Sequence, residues 1–310
     1  MRQFYLPCIF ALVLILSACG SNATNSASTA TNSASNEAES ATITYQSESG
    51  PIEVPANPQR VIALSGFPGD VLKLGVNVVG VDSWSKANPT FEEQLKDVQE
   101  VSAENLETII ELKPDLIIGL SSIKNIDKLN EIAPTVTYTW GKLDYLTQHL
   151  EIGKLLNKEQ EAQAWIDDFK QRAQTIGEDV RAKVGEDATI SVFETYEKEI
   201  FAFGDHFGRG TEILYHEMGL KMPEKLKAFI SETGYNTISA EVLPEYAGDF
   251  IVISKYSTAD NSFQQTETYK NIPAVKNNRV FELDGRSSSY TDPITLEMQL
   301  EFFKKSFLDN

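Results

Sequence analysis

The chain has 310 residues, enough for about two domains, and 41 % of them are hydrophobic, enough for real cores. Acidic residues number 45 against 27 basic, a formal charge of −18. That balance argues against nucleic-acid binding, and against holding a highly anionic ligand without a dedicated cluster of cations. The two cysteines, Cys8 and Cys19, both lie near the N-terminus, so the body of the chain has no disulfide, thiol nucleophile or thiolate metal site.

Residues 1–18 read as a signal peptide, with Arg2 the one charge ahead of the apolar run FYLPCIFALVLILSA. The run ends LSACG, small residues followed at once by Cys19. This ending resembles the lipobox of bacterial lipoproteins. The resemblance implies cleavage before Cys19 and a diacylglyceryl thioether on its sulfur. Loss of Arg2 takes the formal charge from −18 to −19. Residues 19–41 are Ser, Asn, Ala and Thr with almost no large apolar groups, a disordered tether reaching roughly 25 Å root-mean-square.

Residues 42–156 read as an N-terminal α/β lobe. TITYQSESGPIEVP gives two short strands around a Ser/Gly turn, NPQRVIALS a buried strand and GFPGDVLKLGV a helix. NVVGVDSW is the next strand; helix, proline and strand then recur in NLETIIELKPDLIIG and IDKLNEIAPTVTYTW. Short apolar strands alternating with helices predict parallel strands covered by helices. A helix over 144–156 follows.

Residues 157–184 form one long helix, with Asn157 read as its N-cap and apolar residues at 162, 165, 166, 169, 173 and 176 on one face. It is either a link between two lobes or an amphipathic helix on the outside of one larger domain. Residues 185–310 repeat the α/β scheme. Glu107, Glu111 and Asp115 are spaced four and four ahead of the strand DLIIG, and Glu241, Glu245 and Asp249 have the same spacing ahead of DFIVIS. Two halves in one register favour two lobes of similar design joined by the helix.

The stretches PQRVIAL, NLETIIELKPDLII, YLTQHLEIGKLLNKEQEAQAW, FGRGTEILYHEMGLKMP, SAEVLPEYAGDFIV and SSSYTDPITLEMQ cover most of residues 50–310. They resemble the substrate-binding lipoproteins of ABC importers for ferric siderophores, haem and cobalamin, and the last several of them resemble more specifically the ferric-hydroxamate (ferrichrome and ferrioxamine) binders. The resemblance implies an α/β fold of two Rossmann-like lobes on one long rigid helix, the helical-backbone periplasmic-binding-protein fold. It implies a monomeric receptor, not an enzyme and without a cofactor, anchored through Cys19 at the extracytoplasmic face of the cell membrane. Its partners would be a permease and its ATPase. By the same resemblance Glu107 and Glu241 dock the permease and Arg209 bonds hydroxamate oxygens. Trp140, Tyr290, Phe201, Phe207 and Tyr138 fall at pocket positions. The family often has Trp where this chain has Phe207. Ser65, Trp84 and His206 are weaker candidates.

The residues weigh on the ligand independently. Six arginines follow the signal peptide: Arg60, Arg172, Arg181, Arg209, Arg279 and Arg286, two of them on the long helix. Citrate-type and catecholate iron complexes are polyanions and need several cations, whereas a neutral or cationic hydroxamate complex needs one or two donors. Three histidines without ligand spacing argue against direct zinc or manganese binding. Another iron complex (catecholate, citrate-type or haem) or cobalamin stays open as ligand. An exported hydrolase is the remaining enzyme reading, although no Gly-x-Ser-x-Gly, P-loop or Cys/His pair is present.

Overall fold

The computed structural model describes residues 41–230 and 233–309. The signal peptide, Cys19 and nearly all of the tether lie outside them. β1 (Thr42–Ser47) and β2 (Gly50–Pro55) pair antiparallel as the hairpin that the Ser/Gly turn predicts. Its inward residues Tyr45 and Val54 join the first hydrophobic core. β3 (Val61–Ala63), β4 (Val78–Val81), β5 (Gln99–Glu100), β6 (Leu116–Leu120) and β7 (Thr135–Tyr138) make a parallel sheet in the order β5-β4-β3-β6-β7. The chain winds outward from β3, then returns to β6 on its other side. Ligands of such sheets bind outside the carboxyl ends of the strands at that reversal.

The second sheet contains β8 (Ile190–Tyr196), β9 (Glu199–Phe203), β10 (Tyr235–Ile238), β11 (Phe250–Lys255) and β12 (Val280–Asp284), in the order β10-β9-β8-β11-β12. β8, β11 and β12 are parallel, but β9 runs antiparallel to β8 and β10 antiparallel to β9. The second half is therefore a mixed sheet and not a full repeat of the first. Only Glu197 and Lys198 separate β8 from β9, and a parallel return needs a crossover of a dozen residues or more.

Between the sheets runs the long helix Glu159–Val184, 26 residues and about 39 Å. Ala162, Ile166, Phe169, Ala173, Gly177 and Val180 are its buried face. A Cβ on Gly177 would lie 2.5 Å from the Cα of Met218, so glycine lets the helix press against the backbone after Glu217. Asn157 is not the N-cap. It takes a left-handed conformation (φ 55°) and closes the preceding helix, Tyr145–Leu155, its N–H donating to the Lys154 carbonyl. Asn tolerates that conformation, which explains why it stands at the boundary. The long helix starts at Glu159 with no side-chain cap, and Glu159 and Glu161 complement its dipole instead.

A second helix ties the lobes. Pro293–Leu308 packs Leu296, Leu300, Phe303 and Phe307 into the core of the long helix, while Ile294 at its start packs on the N-terminal core. Glu297 fastens the arrangement: it accepts from Arg172 Nη1 and Nη2 at 2.9 and 2.8 Å and from Trp165 Nε1 at 2.8 Å. The spacing echo has a structural counterpart. Asp115 accepts from the Gln59 and Arg60 amides at 2.6 and 2.9 Å, and Asp249 from the Thr189 amide at 2.9 Å. Each carboxylate fastens the chain just ahead of the first strand of its five-stranded sheet, β3 or β8. Among the described residues no helix is long and apolar enough to cross a membrane.

Candidate functional site

Loops at the carboxyl ends of β3, β4, β6 and β7 face the loops after β9 and β12 across a cavity of about 1000 Å³. Trp84, Trp140, Phe207, Arg209, Tyr290 and Ser65 all line it. The aromatic members touch across the lobes: Trp140 and Phe207 have ring centroids 5.4 Å apart. Trp140 is 63 % exposed and stands at the mouth. Tyr290 reaches the opposite lobe, its ring stacked 6.0 Å from Phe91 and its hydroxyl 3.3 Å from Ser85 Oγ. Burial pushes the Tyr290 hydroxyl well above its ordinary value, so it stays a neutral donor.

Gly208, Arg209 and Gly210 all have positive φ, and Arg209 at φ 59° is the one without a glycine's freedom. The surroundings enforce that turn. The Arg209 amide donates to the Ser288 carbonyl at 2.7 Å, and a Cβ on Gly210 would strike the Phe303 ring at 2.3 Å. Glu212 holds the loop from below, accepting from the Gly208 amide at 2.9 Å and from Thr211 Oγ1 at 3.0 Å. Burial raises the Glu212 carboxyl above the usual range. Glu212–Glu217 continues as a π-helical turn, a form frequent at functional sites.

Arg209 is aimed by its partners. Nε and Nη2 donate to Glu194 Oε2 and Oε1 at 2.7 and 2.9 Å, and Nη1 donates to the Phe207 carbonyl at 2.7 Å. A guanidinium has five N–H donors. Among the described residues three of the five are engaged, which leaves one N–H on Nη1 and one on Nη2, and Arg209 is part of the cavity wall.

Two expected pocket residues lie elsewhere. Tyr138 is 3 % exposed in the N-terminal core; its hydroxyl pairs with the Tyr45 hydroxyl at 3.1 Å. It is the last residue of β7 and points into the N-terminal core, whereas Trp140 lies past the strand's end in the loop that borders the cavity. Phe201 sits on β9 against Phe203 and Tyr235 (6.4 and 6.2 Å) and is absent from the cavity wall. His206 borders the cavity with Nδ1 2.7 Å from Asp205 Oδ1. Glu107 is exposed in the first turn of the helix Leu106–Leu112, and Glu241 is exposed in the turn ahead of Leu243–Tyr246.

The sequence reading missed Tyr145, Glu194, Glu217 and Asp292. The Tyr145 hydroxyl donates to Glu217 at 2.6 Å across the cavity. Asp292 caps Pro293–Leu308 at the cavity floor. Glu194 was legible as a charge inside an apolar strand, since such a charge requires a partner. The lining holds Lys170 and Arg209 against Asp144, Glu212, Glu217 and Asp292, and Arg286 stacks 4.8 Å from the Trp84 ring. Among the described residues no three His, Cys, Asp or Glu side chains gather to hold a metal ion. A second cavity, about 520 Å³, lies in the C-terminal lobe beside Tyr215 and Lys221.

The chain is similar in sequence and fold to known proteins along most of its length. The sequence profile described as periplasmic binding protein matches residues 61–287. The iron(3+)-hydroxamate-binding protein FhuD of Bacillus subtilis is 37 % identical, over 96 % of this chain and 95 % of its own length. The iron(3+)-hydroxamate-binding protein YxeB of the same organism is 33 % identical over 94 % and 91 %. The structure of FhuD2 from Staphylococcus aureus with bound ferrioxamine B superposes with a TM-score of 0.76 at 30 % identity, covering 81 % of this chain and 99 % of that one.

Proposed function

The chain belongs to the periplasmic binding protein family, and from that premise we propose that it is the receptor of an ABC importer for ferric hydroxamate siderophores. The observation that carries the proposal is Arg209, which keeps an N–H on each of Nη1 and Nη2 and lines an aromatic cavity whose other basic side chains are Lys170, His206 and His216. Hydroxamate oxygens around a chelated ferric ion are close-set acceptors, which a planar guanidinium edge can bond in pairs. Trp84, Trp140, Phe207 and Tyr290 supply faces for the organic shell. The iron arrives fully chelated, as cargo, and takes no ligand from the protein. Relatives named for hydroxamate binding support this ligand class.

Cys19 carries the lipid that holds the monomeric receptor at the extracytoplasmic face of the membrane. Cys19→Ser should release the chain into the medium, and retention in the membrane fraction would refute the anchor. Glu107 and Glu241 orient the loaded receptor on the permease, as exposed charges that set geometry and on-rate more than affinity.

The test is fluorescence titration of the purified chain with ferrichrome, ferrioxamine, a ferric catecholate, ferric citrate, haem and cobalamin. Trp84 and Trp140 line the cavity and report occupancy. Saturable quenching by the hydroxamates at submicromolar concentration is expected. Tight binding of an anionic complex, or of none, would overturn the ligand assignment.

A further inference from the structure

Arg209 does not enter the cavity as a bare cation. Glu194, on the central strand β8 and 4 % exposed, takes its Nε and Nη2 as a two-pronged pair. Glu194 Oε2 also accepts from Ser254 Oγ at 2.8 Å. Ser254 Oγ lies 3.1 Å from Ser288 Oγ, and the Ser288 carbonyl accepts the Arg209 amide at 2.7 Å. The network is closed: carboxylate, hydroxyls and backbone fix where the guanidinium points and cancel its charge. An arginine meant to attract an anion would be left without so tight a buried counter-charge. Here the pair is neutral as a unit, and the other ionisable lining residues are Lys170, His206, His216 and four carboxyls, Asp144, Glu212, Glu217 and Asp292, with Arg286 stacked 4.8 Å from the Trp84 ring.

We infer that Glu194 is a charge-selecting residue: by pairing with Arg209 it keeps the site hydrogen-bonding but not cationic, so that the cavity accepts neutral or positive ferric chelates and turns away anionic ones. The inference rests on the reading of Arg209 as a ligand donor. Glu194 acts through Arg209 and through the field at the iron-bearing end of the ligand. A merely structural Glu194 would alter affinity for all chelates alike.

The experiment uses one synthetic tripodal scaffold whose three bidentate arms are exchanged, one at a time, from hydroxamate to catecholate. Each exchange adds one negative charge to the ferric core and leaves the scaffold unchanged. The purified full-length chain should lose about tenfold in affinity at each exchange, as expected for a unit charge in a partly screened cavity. Glu194→Gln keeps a polar partner for Arg209 and removes the charge; its first exchange should cost little or nothing. Glu194→Asp keeps the charge on a shorter arm; it should lower affinity for every chelate and preserve the wild-type ratio. Equal wild-type affinity for neutral and anionic cores overturns the inference without any variant having to fold. So does a wild-type ratio retained in Glu194→Gln. Failure of the wild-type chain to bind the all-hydroxamate complex would instead overturn the proposed function with it, which separates the two.

Discussion

Asp292→Asn tests how the lobes are joined beneath the cavity. Asp292 is 2 % exposed, caps Pro293–Leu308 by accepting from the Ile294 and Thr295 amides at 2.9 and 3.2 Å, and lies near Asp70, itself 1 % exposed. Burial, reinforced by the charge of Asp70, pushes the Asp292 carboxyl from its ordinary 3.8 up to about 7. Burial also raises Asp70, although His149 Nδ1, 2.9 Å from Asp70 Oδ1, opposes that rise. The sign of the pH effect follows. Below about pH 4 both folded and unfolded chains hold the Asp292 proton. Between about 4 and 7 the folded chain keeps it and the unfolded chain has lost it, so stability falls as pH rises. Above about 7 both are ionised and the full cost is in place. From pH 5 to about 7 lie two pH units, each worth ~1.4 kcal/mol, so ~2.7 kcal/mol of cost accumulates between pH 5 and pH 8. Asparagine caps a helix as well as aspartate does but cannot ionise. The stabilisation gained by Asp292→Asn should therefore be about 2–3 kcal/mol larger at pH 8 than at pH 5. Urea unfolding of both proteins at the two pH values, followed by tryptophan fluorescence, measures this difference. An equal effect at both pH values would refute a buried, raised Asp292.

Two further perturbations probe the joint and the outer face. In Gly69→Ala the new Cβ would lie 1.8 Å from Asp292 Oδ1; displaced cap and overpacking together should cost about 2–4 kcal/mol, and a urea midpoint unchanged from wild type would show that the lobes do not press together there. Reversing charge in the double variant Glu107→Arg/Glu241→Arg should leave ligand titration unchanged, because both side chains are exposed outside the cavity, while iron uptake by cells is lost; normal uptake would sink the docking assignment.

What the sequence made legible was whatever local pattern alone decides. The long helix, the β1–β2 hairpin and the paired strand-opening aspartates Asp115 and Asp249 follow from periodicity, a Ser/Gly turn and a repeated spacing. Asn157 was misplaced because N-caps and left-handed closures draw on the same residue type, and two helices meet there. The antiparallel β9 was read as part of a repeat although its two-residue link to β8 already excluded a parallel return. Within the site, Arg209, Trp140, Phe207 and Tyr290 reach the cavity from loops flagged by glycines and strand ends. Tyr138 ends β7 but Phe201 falls in the middle of β9, and where a strand stops and which way its side chains face decide between core and cavity. Glu194 and Asp292 depend on contacts 15 or more residues away, with Arg209 and with Gly69, and no local pattern announces those partners.

The most direct test of the account is a paired titration of the wild-type chain and Arg209→Lys with one ferric hydroxamate. Lysine keeps a positive charge against Glu194, avoiding a buried unpaired carboxylate, but it loses the planar fork. Losing the paired hydrogen bonds should weaken binding by about 1.5–3 kcal/mol, or roughly 10- to 150-fold, and lower the urea midpoint without unfolding the chain. Affinity equal to wild type in a folded Arg209→Lys protein would contradict the assignment of Arg209 as the hydrogen-bonding anchor of the cavity.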